Sequence, residues 1–274
     1  MKLNFRPLRA TASAFTMVEI ALCLAIVGFA LVAIIGVLPA GLNVQKENRE
    51  DTILNQDSTV WLDAIRGGGG DNDLLNYVDR IIVTSQNFDS TGNAMGAPVQ
   101  IVAEPTMPTL GDLKVQLTSG SMIVGLLSTP RFGPPLPGPG STGAAYTTNN
   151  VVAYVRAISG TAAEKPMQEN REVRGSAFGY RMVVEVLPPG WVDYSGILTN
   201  ASDRVLQNNL ADVRLLCRWP LKQAFDSSLP LDRPAAGNSR MTFRVQAGGV
   251  LPQVESGAAP GVPFYFFQPR QYSP

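Results

Sequence analysis

Between Ile20 and Gln45 the chain carries no charged side chain, and Ile20 to Leu38 forms one apolar run of nineteen residues. About 20 apolar residues in a helix cross the ~30 Å hydrocarbon core of a bilayer, so this run predicts a membrane-length helix. Residues 41–66 continue it with a different face. Glu47, Arg49, Glu50 and Asp51 make the first part polar, and Ile53, Leu54, Val60, Trp61, Ala64 and Ile65 then recur at three- and four-residue spacings. That is the pattern of a helix with one side packed on a domain. Gly67-Gly68-Gly69-Gly70 stops it as a flexible terminator. No Lys-Ser/Thr follows and no strand precedes, which argues against a phosphate cradle.

Beyond the glycines the period shortens. Asp71 to Val83 reads two ways: Leu74, Leu75, Val78 and Ile81 or Ile82 are helix-spaced, while Arg80-Ile81-Ile82-Val83 can open a strand. Asn87 to Asn93 is turn chemistry. Residues 98–103 and 113–117 read as strands, 121–127 as a more continuously apolar strand, and 131–150, with Pro134, Pro135, Pro137 and Pro139, as a long exposed loop. Segments 151–158, 178–187, 211–219 and 240–247 are strands bounded by Pro, Gly, Asn and Ser clusters. Val213, Leu215, Cys217 and Trp219 share one parity and Arg214, Leu216 and Arg218 the other, as in half-buried antiparallel sheet. Ser202 to Asn209 predicts a short helix capped by Ser202. The aromatic tail from Leu251 (Phe264, Tyr265, Phe266, Phe267, Tyr272) reads as a last edge strand or an interaction segment.

Composition narrows the function classes. The 274 residues hold one domain, with or without an elongated helix. Only 16% are charged, and 26 Gly with 21 Pro suit a loop-rich β domain. Basic and acidic residues number 22 each, so no strong field for nucleic acid arises. The absence of histidine removes the commonest general base and metal ligand together. Cys23 lies in the apolar run and Cys217 in a strand, too differently placed to bridge.

The N-terminus admits four readings. A secretory signal cut near Leu38-Pro39-Ala40 has too long an apolar region, and Glu19 is out of place in it. A plain signal anchor fits the basic flank of Lys2, Arg6 and Arg9. A buried core helix does not fit so long an uncharged run. The fourth reading rests on Ala14-Phe15-Thr16-Met17-Val18-Glu19 ahead of the apolar helix, which resembles the class III leader of type IV prepilins and type II secretion pseudopilins. Membership of that family implies a cut between Ala14 and Phe15 by prepilin peptidase and N-methylation of Phe15. It also implies that Glu19 neutralises a neighbouring subunit's amine during assembly. The family prefers Gly before the cut, and Ala14 departs from that. A carboxylate at the bilayer centre costs on the order of 2.5–3.5 kcal/mol, less near an edge, so Glu19 calls for a partner or for headgroup solvation. Where the family often carries a helix-breaking proline, this chain has Gly36, with Pro39 three residues on, which implies a kink or melted turn at 36–40. Leu38-Pro39-Ala40-Gly41-Leu42 and the strand Arg214 to Pro220 are similar to the prepilin-like Verru_Chthon cassette proteins, especially the B type.

No catalytic constellation emerges. Gly175-Ser176-Ala177-Phe178-Gly179 sets its serine one place early for a nucleophile elbow. Asp71, Asp73 and Asp79 lack Ca²⁺-loop spacing. Arg214 and Arg218 share a face that could contact a partner or an anion, although pairing with cross-strand carboxylates is the more ordinary fate. Trp61, Trp191 and Trp219 read as packing residues. The expectation is therefore an α+β, pilin-like chain. A leader over 1–14 precedes a spine helix over 15–66, transmembrane at about 20–38 and then amphipathic, and a β-rich domain over 67–274. The resemblance implies a minor pilin or pseudopilin of the inner membrane, N-terminus cytoplasmic and domain periplasmic or extracellular. Its partners would be prepilin peptidase, other pilins, an assembly platform and the lipid bilayer, with no nucleic acid, cofactor, metal or catalytic residue. A permanently anchored periplasmic binding or scaffolding protein is the alternative, and an anchored enzyme a third option.

Overall fold

The structure is a computed structural model that describes residues 16–109, 111–136, 142–159, 178–187, 205, 208–221, 236–255, 259 and 261–272. It divides into two units, Met1–Asp51 and Thr52–Pro274, each treated by itself. Helix α1 (Met17–Gly67) supplies nearly all of the described part of the first unit and the opening of the second.

Within the first unit every residue from Thr16 to Arg49 is exposed, including the whole apolar run. Helical geometry runs unbroken through Gly36 and Pro39, so the melted turn expected at 36–40 does not form. A proline removes one hydrogen bond from the ladder, but Val37, Leu38, Ala40 and Leu42 around it continue the helix.

In the second unit the end of α1 buries Ile53, Leu54, Asp57, Ser58, Trp61 and Ile65, spaced three and four apart on one face. Val60, expected on that face, is exposed. The helix ends at Gly68 in a left-handed conformation (φ 63°), and a Cβ there would lie 2.0 Å from Phe267 O. At Gly70 a Cβ would lie 2.1 Å from Gly120 O. The tetraglycine is thus a packed junction where backbones meet, not merely a flexible stop. Asp71 then caps a 3₁₀ turn (Asn72–Asn76), and β1 (Val78–Phe88) follows, so both readings of 71–83 hold in succession.

Strand β1 pairs antiparallel with β2 (Ala94–Glu104), and β3 (Leu113–Gln116) adds parallel to β2. Residues 121–127, expected as a strand, lie in helix α2 (Gly120–Leu127). A short apolar run is ambiguous by period alone; Ser119 decides it, its Oγ accepting from Met122 N at 3.4 Å as an N-cap. The expected loop over 131–150 is also partly ordered: β4 (Phe132–Gly133) pairs with β5 (Tyr146–Arg156). Asn87 holds the proline stretch through paired 3.0 Å bonds between its amide and the Leu136 backbone. Strands β6 (Gly179–Leu187), β7 (Leu210–Leu221) and β8 (Ala236–Gly248) complete an antiparallel series, giving the order β3-β2-β1-β5-β6-β7-β8. The tail forms a separate two-stranded piece, β9 (Gln253–Glu255) and β10 (Pro263–Tyr265), rather than an edge strand of the main sheet. Its Phe264 and Phe267 join the core.

The inner face of the sheet carries Ile81, Val83, Ala153, Met182, Val184, Leu215 and Cys217, one cluster with Leu54, Trp61, Ile65 and α2. The parity read from the sequence for Val213, Leu215, Cys217 and Trp219 is the buried one. A smaller cluster of Ile82, Val152 and Tyr154 lies on the outer face. The molecule is thus α+β, a long N-terminal apolar helix followed by a mostly antiparallel sheet domain, pilin-like in layout.

Candidate functional site

The chemistry of the expected site lies at the start of α1. Lys2, Arg6, Arg9, Ala14 and Phe15 fall outside the described residues, as do Trp191, Ser202 and residues 175–177 of the Gly175–Gly179 stretch. Glu19 is described, and it is engaged. Its Oε2 accepts from Thr16 N at 2.8 Å and from Thr16 Oγ1 at 2.9 Å, while Glu19 N donates to Thr16 Oγ1 at 3.3 Å. Thr16 precedes the first helical residue and Glu19 is three positions on, which makes a capping box. The exposed backbone N–H groups of a helix start require such acceptors. The signature Thr-x-x-Glu ahead of an apolar run is the sequence signal for this helix start, and it gives Glu19 a role besides that of an assembly charge.

Among the described residues α1 alone is long and apolar enough to cross a membrane, and no part of its most apolar window is buried within the molecule. A core helix of a soluble protein would have that window covered. The molecule carries Met17, Ile20, Leu22, Leu24, Ile26, Val27 and Phe29 at more than half exposure. A run of that size is compatible with single-pass membrane anchoring.

The second unit holds a polar cluster that sequence reasoning missed. Asp57, on the apolar face of α1, is fully buried. Its Oδ1 accepts from Ser159 N at 2.9 Å and Ser159 Oγ at 2.6 Å, and its Oδ2 from Ile158 N at 3.0 Å and Tyr180 Oη at 3.2 Å. Tyr180 Oη in turn accepts from Trp61 Nε1 at 2.9 Å. Burial raises the Tyr180 hydroxyl well above its ordinary range, helped by the charge of Asp57. Burial and then Asp57 likewise push the Cys217 thiol up to about 12. Every member has a partner, so the cluster reads as a clasp between helix and sheet rather than a reactive centre. The one signal for it was a lone aspartate three residues after Leu54 and four before Trp61.

A cavity of about 160 Å³ lies against β1 and β5, lined among others by Ser85, Thr147, Asn149, Pro134, Leu136 and Tyr265. Its polar groups are mutually satisfied: Ser85 Oγ donates to Asn149 Oδ1 at 2.7 Å, and Asn149 Nδ2 donates to Pro130 O at 2.9 Å. On the outer sheet face Arg214 pairs with Asp212 on its own strand rather than across strands. Asp71, Asp73 and Asp79 do not converge: Asp71 caps the 3₁₀ turn and Asp79 pairs with Arg156. Among the described residues no group of three or more His, Cys, Asp or Glu could hold a metal ion. Both cysteines are free thiols.

Comparison with models of known families, with characterised proteins and with solved structures finds no match to this chain.

Proposed function

We propose that the chain is a minor pilin or pseudopilin, a prepilin cut between Ala14 and Phe15 and methylated at Phe15, whose helix packs with those of other subunits in a filament. The observation that carries this reading is the exposed apolar run of α1 with Glu19 at its threshold, four residues beyond Phe15. A helix of this kind is stored in the bilayer before assembly and buried against neighbours afterwards. Its work is assembly rather than turnover, with prepilin peptidase and an inner-membrane platform as partners. Basic residues on the N-terminal flank support a cytoplasmic N-terminus with the sheet domain across the membrane.

The capping box favours a second reading, a permanently anchored scaffolding or binding protein. Closing on Thr16 gives Glu19 a local reason to be there that needs no neighbouring subunit. Intact mass after co-expression with and without prepilin peptidase separates the two. Loss of residues 1–14 with gain of one methyl group supports the pilin reading. An unchanged mass, in cells that process a known prepilin, leaves the anchor.

A further inference from the structure

The outer face of the sheet carries its arginines in two ways. Towards β1, β2 and β5 they meet carboxylates: Arg80 with Glu104, and Arg156 Nη2 with Asp79 Oδ1 at 2.8 Å. On β7 and β8, Arg214 and Arg244 lie opposite one another in register, and Asp212 bridges them at 2.8 Å to Arg214 Nη2 and 2.5 Å to Arg244 Nε.

Four residues along β7 the described residues supply no such compensation. Arg181 of β6 stands opposite Arg218 of β7, and Arg218 opposite Arg240 of β8. Directly opposed residues share a face, so three arginines form one row across three neighbouring strands, roughly 10 Å from end to end. Like charges so placed destabilise a sheet. Among the described residues none of the three forms an ion pair, Arg218 and Arg240 are exposed, and Arg181 Nε is buried without a hydrogen-bond partner. Glu185 is four residues from Arg181 along β6, roughly 13 Å away.

The row ends at β8, the last strand in the order, and among the described residues no strand pairs with its outer edge. Arg240, Thr242, Arg244 and Gln246 are exposed on the outer face, while Met241, Phe243 and Val245 are only half-buried on the inner one. An edge thirteen residues long, unpaired among the described residues, presents backbone donors and acceptors for another strand. We propose that the β8 edge and the Arg218–Arg240 end of the arginine row dock an extended acidic polypeptide segment of a partner, which adds as a further strand. Because the row runs across the strands, the added strand brings one carboxylate opposite Arg240 at the end of the row, within reach of the long Arg218 side chain, and its intervening apolar side chains cover Met241, Phe243 and Val245. A soluble polyanion would satisfy the charge but leave those three uncovered. Charge on an edge also guards against self-pairing, but a guard belongs on the edge strand, and Arg218 lies one strand inward.

The test uses the full chain in detergent micelles and a short fluorescent peptide of alternating glutamate and valine, followed by anisotropy. Saturable binding is expected, weakened about tenfold in an Arg218→Ala/Arg240→Ala double variant with unchanged near-UV circular dichroism. Lys114→Ala, on the opposite edge strand β3, should bind as the unaltered chain does. A peptide N-methylated at alternate amides should not bind, because it cannot form the ladder. The proposal is overturned by absence of saturable binding, by equal binding of the N-methylated peptide (polyanion contact only), or by full binding in the double variant. A double variant that self-associates while its peptide binding is unchanged would make the arginines an edge guard only.

Discussion

Ser159 reaches Asp57 twice: its backbone N–H and its hydroxyl both donate to Asp57 Oδ1, at 2.9 and 2.6 Å, across 102 positions of sequence. With Ile158 N and Tyr180 Oη on the other oxygen, one buried carboxylate satisfies four donors where the helix lies on the ends of β5 and β6. Asp57→Ala therefore strands those donors, each worth about 1–3 kcal/mol when buried unsatisfied. Together they should cost on the order of 4 kcal/mol in denaturant unfolding followed by tryptophan fluorescence. Asp57→Asn keeps the shape but only one oxygen acceptor, and its loss should fall between. A variant Asp57→Ala as stable as the parent would remove the clasp from the account of the fold.

Cys217 lies close enough to this carboxylate to feel it. Burial first, and then the charge of Asp57, hold its thiol neutral up to about 12 from an ordinary 9.0. A raised folded-state value contributes stability that is fully present below the unfolded value and is lost as pH climbs through the folded one. Unfolding free energy should stay level to about pH 9 on this account and fall between there and about pH 12. Tyr180, also raised, adds to the same alkaline limb. In Cys217→Ala the alkaline slope should be shallower, and thiol titration at pH 8 should leave Cys217 unmodified until denaturant is added.

Asp212 works in the opposite direction. Burial acts to raise its carboxyl, but hydrogen bonds from Arg244 and Arg214 and their charges outweigh it, so the net shift is downward. A depressed value gives stability that is present above the unfolded value, about 3.9, and lost as pH falls through the folded one. Asp212→Asn should flatten the acid limb of the stability profile below about pH 4. At neutral pH it should cost about 1–2 kcal/mol, because both arginines are partly exposed and water replaces some of the pairing. An acid limb identical to the parent's would show that other carboxylates set it.

What could be read in the sequence divides by the range of the interactions involved. The apolar run of α1 and the alternation of Val213 to Trp219 are local patterns that burial follows directly. Residues 121–127 misled because the run buried from Met122 to Leu127 has no polar face to reveal its period, and only the Ser119 cap distinguishes helix from strand. The ordering of Leu136 by Asn87, the close backbone contacts of Gly68 and Gly70, and the bonds of Asp57 to Ser159 and Tyr180 all join distant parts of the chain. No window of sequence contains both partners.

Thr16 and Glu19 permit a separation of roles that neither residue permits alone. A capping box accepts Glu or Gln at its third position, so Glu19→Gln removes the charge and keeps the cap. Thr16→Val removes the hydroxyl that donates to Glu19 Oε2 and accepts from Glu19 N, and keeps the charge. In micelles, circular dichroism should register fraying of the first turn in Thr16→Val and little change in Glu19→Gln. If the carboxylate pairs with a neighbour's amine during assembly, Glu19→Gln should abolish incorporation into filaments, scored in sheared surface fractions, while Thr16→Val retains it. Should both variants assemble as the parent does, Glu19 is a helix cap and assembly does not depend on its charge; should parent and variants alike stay out of filaments, the chain is a permanent anchor. Should Thr16→Val alone fail, assembly depends on an ordered first turn rather than on the charge.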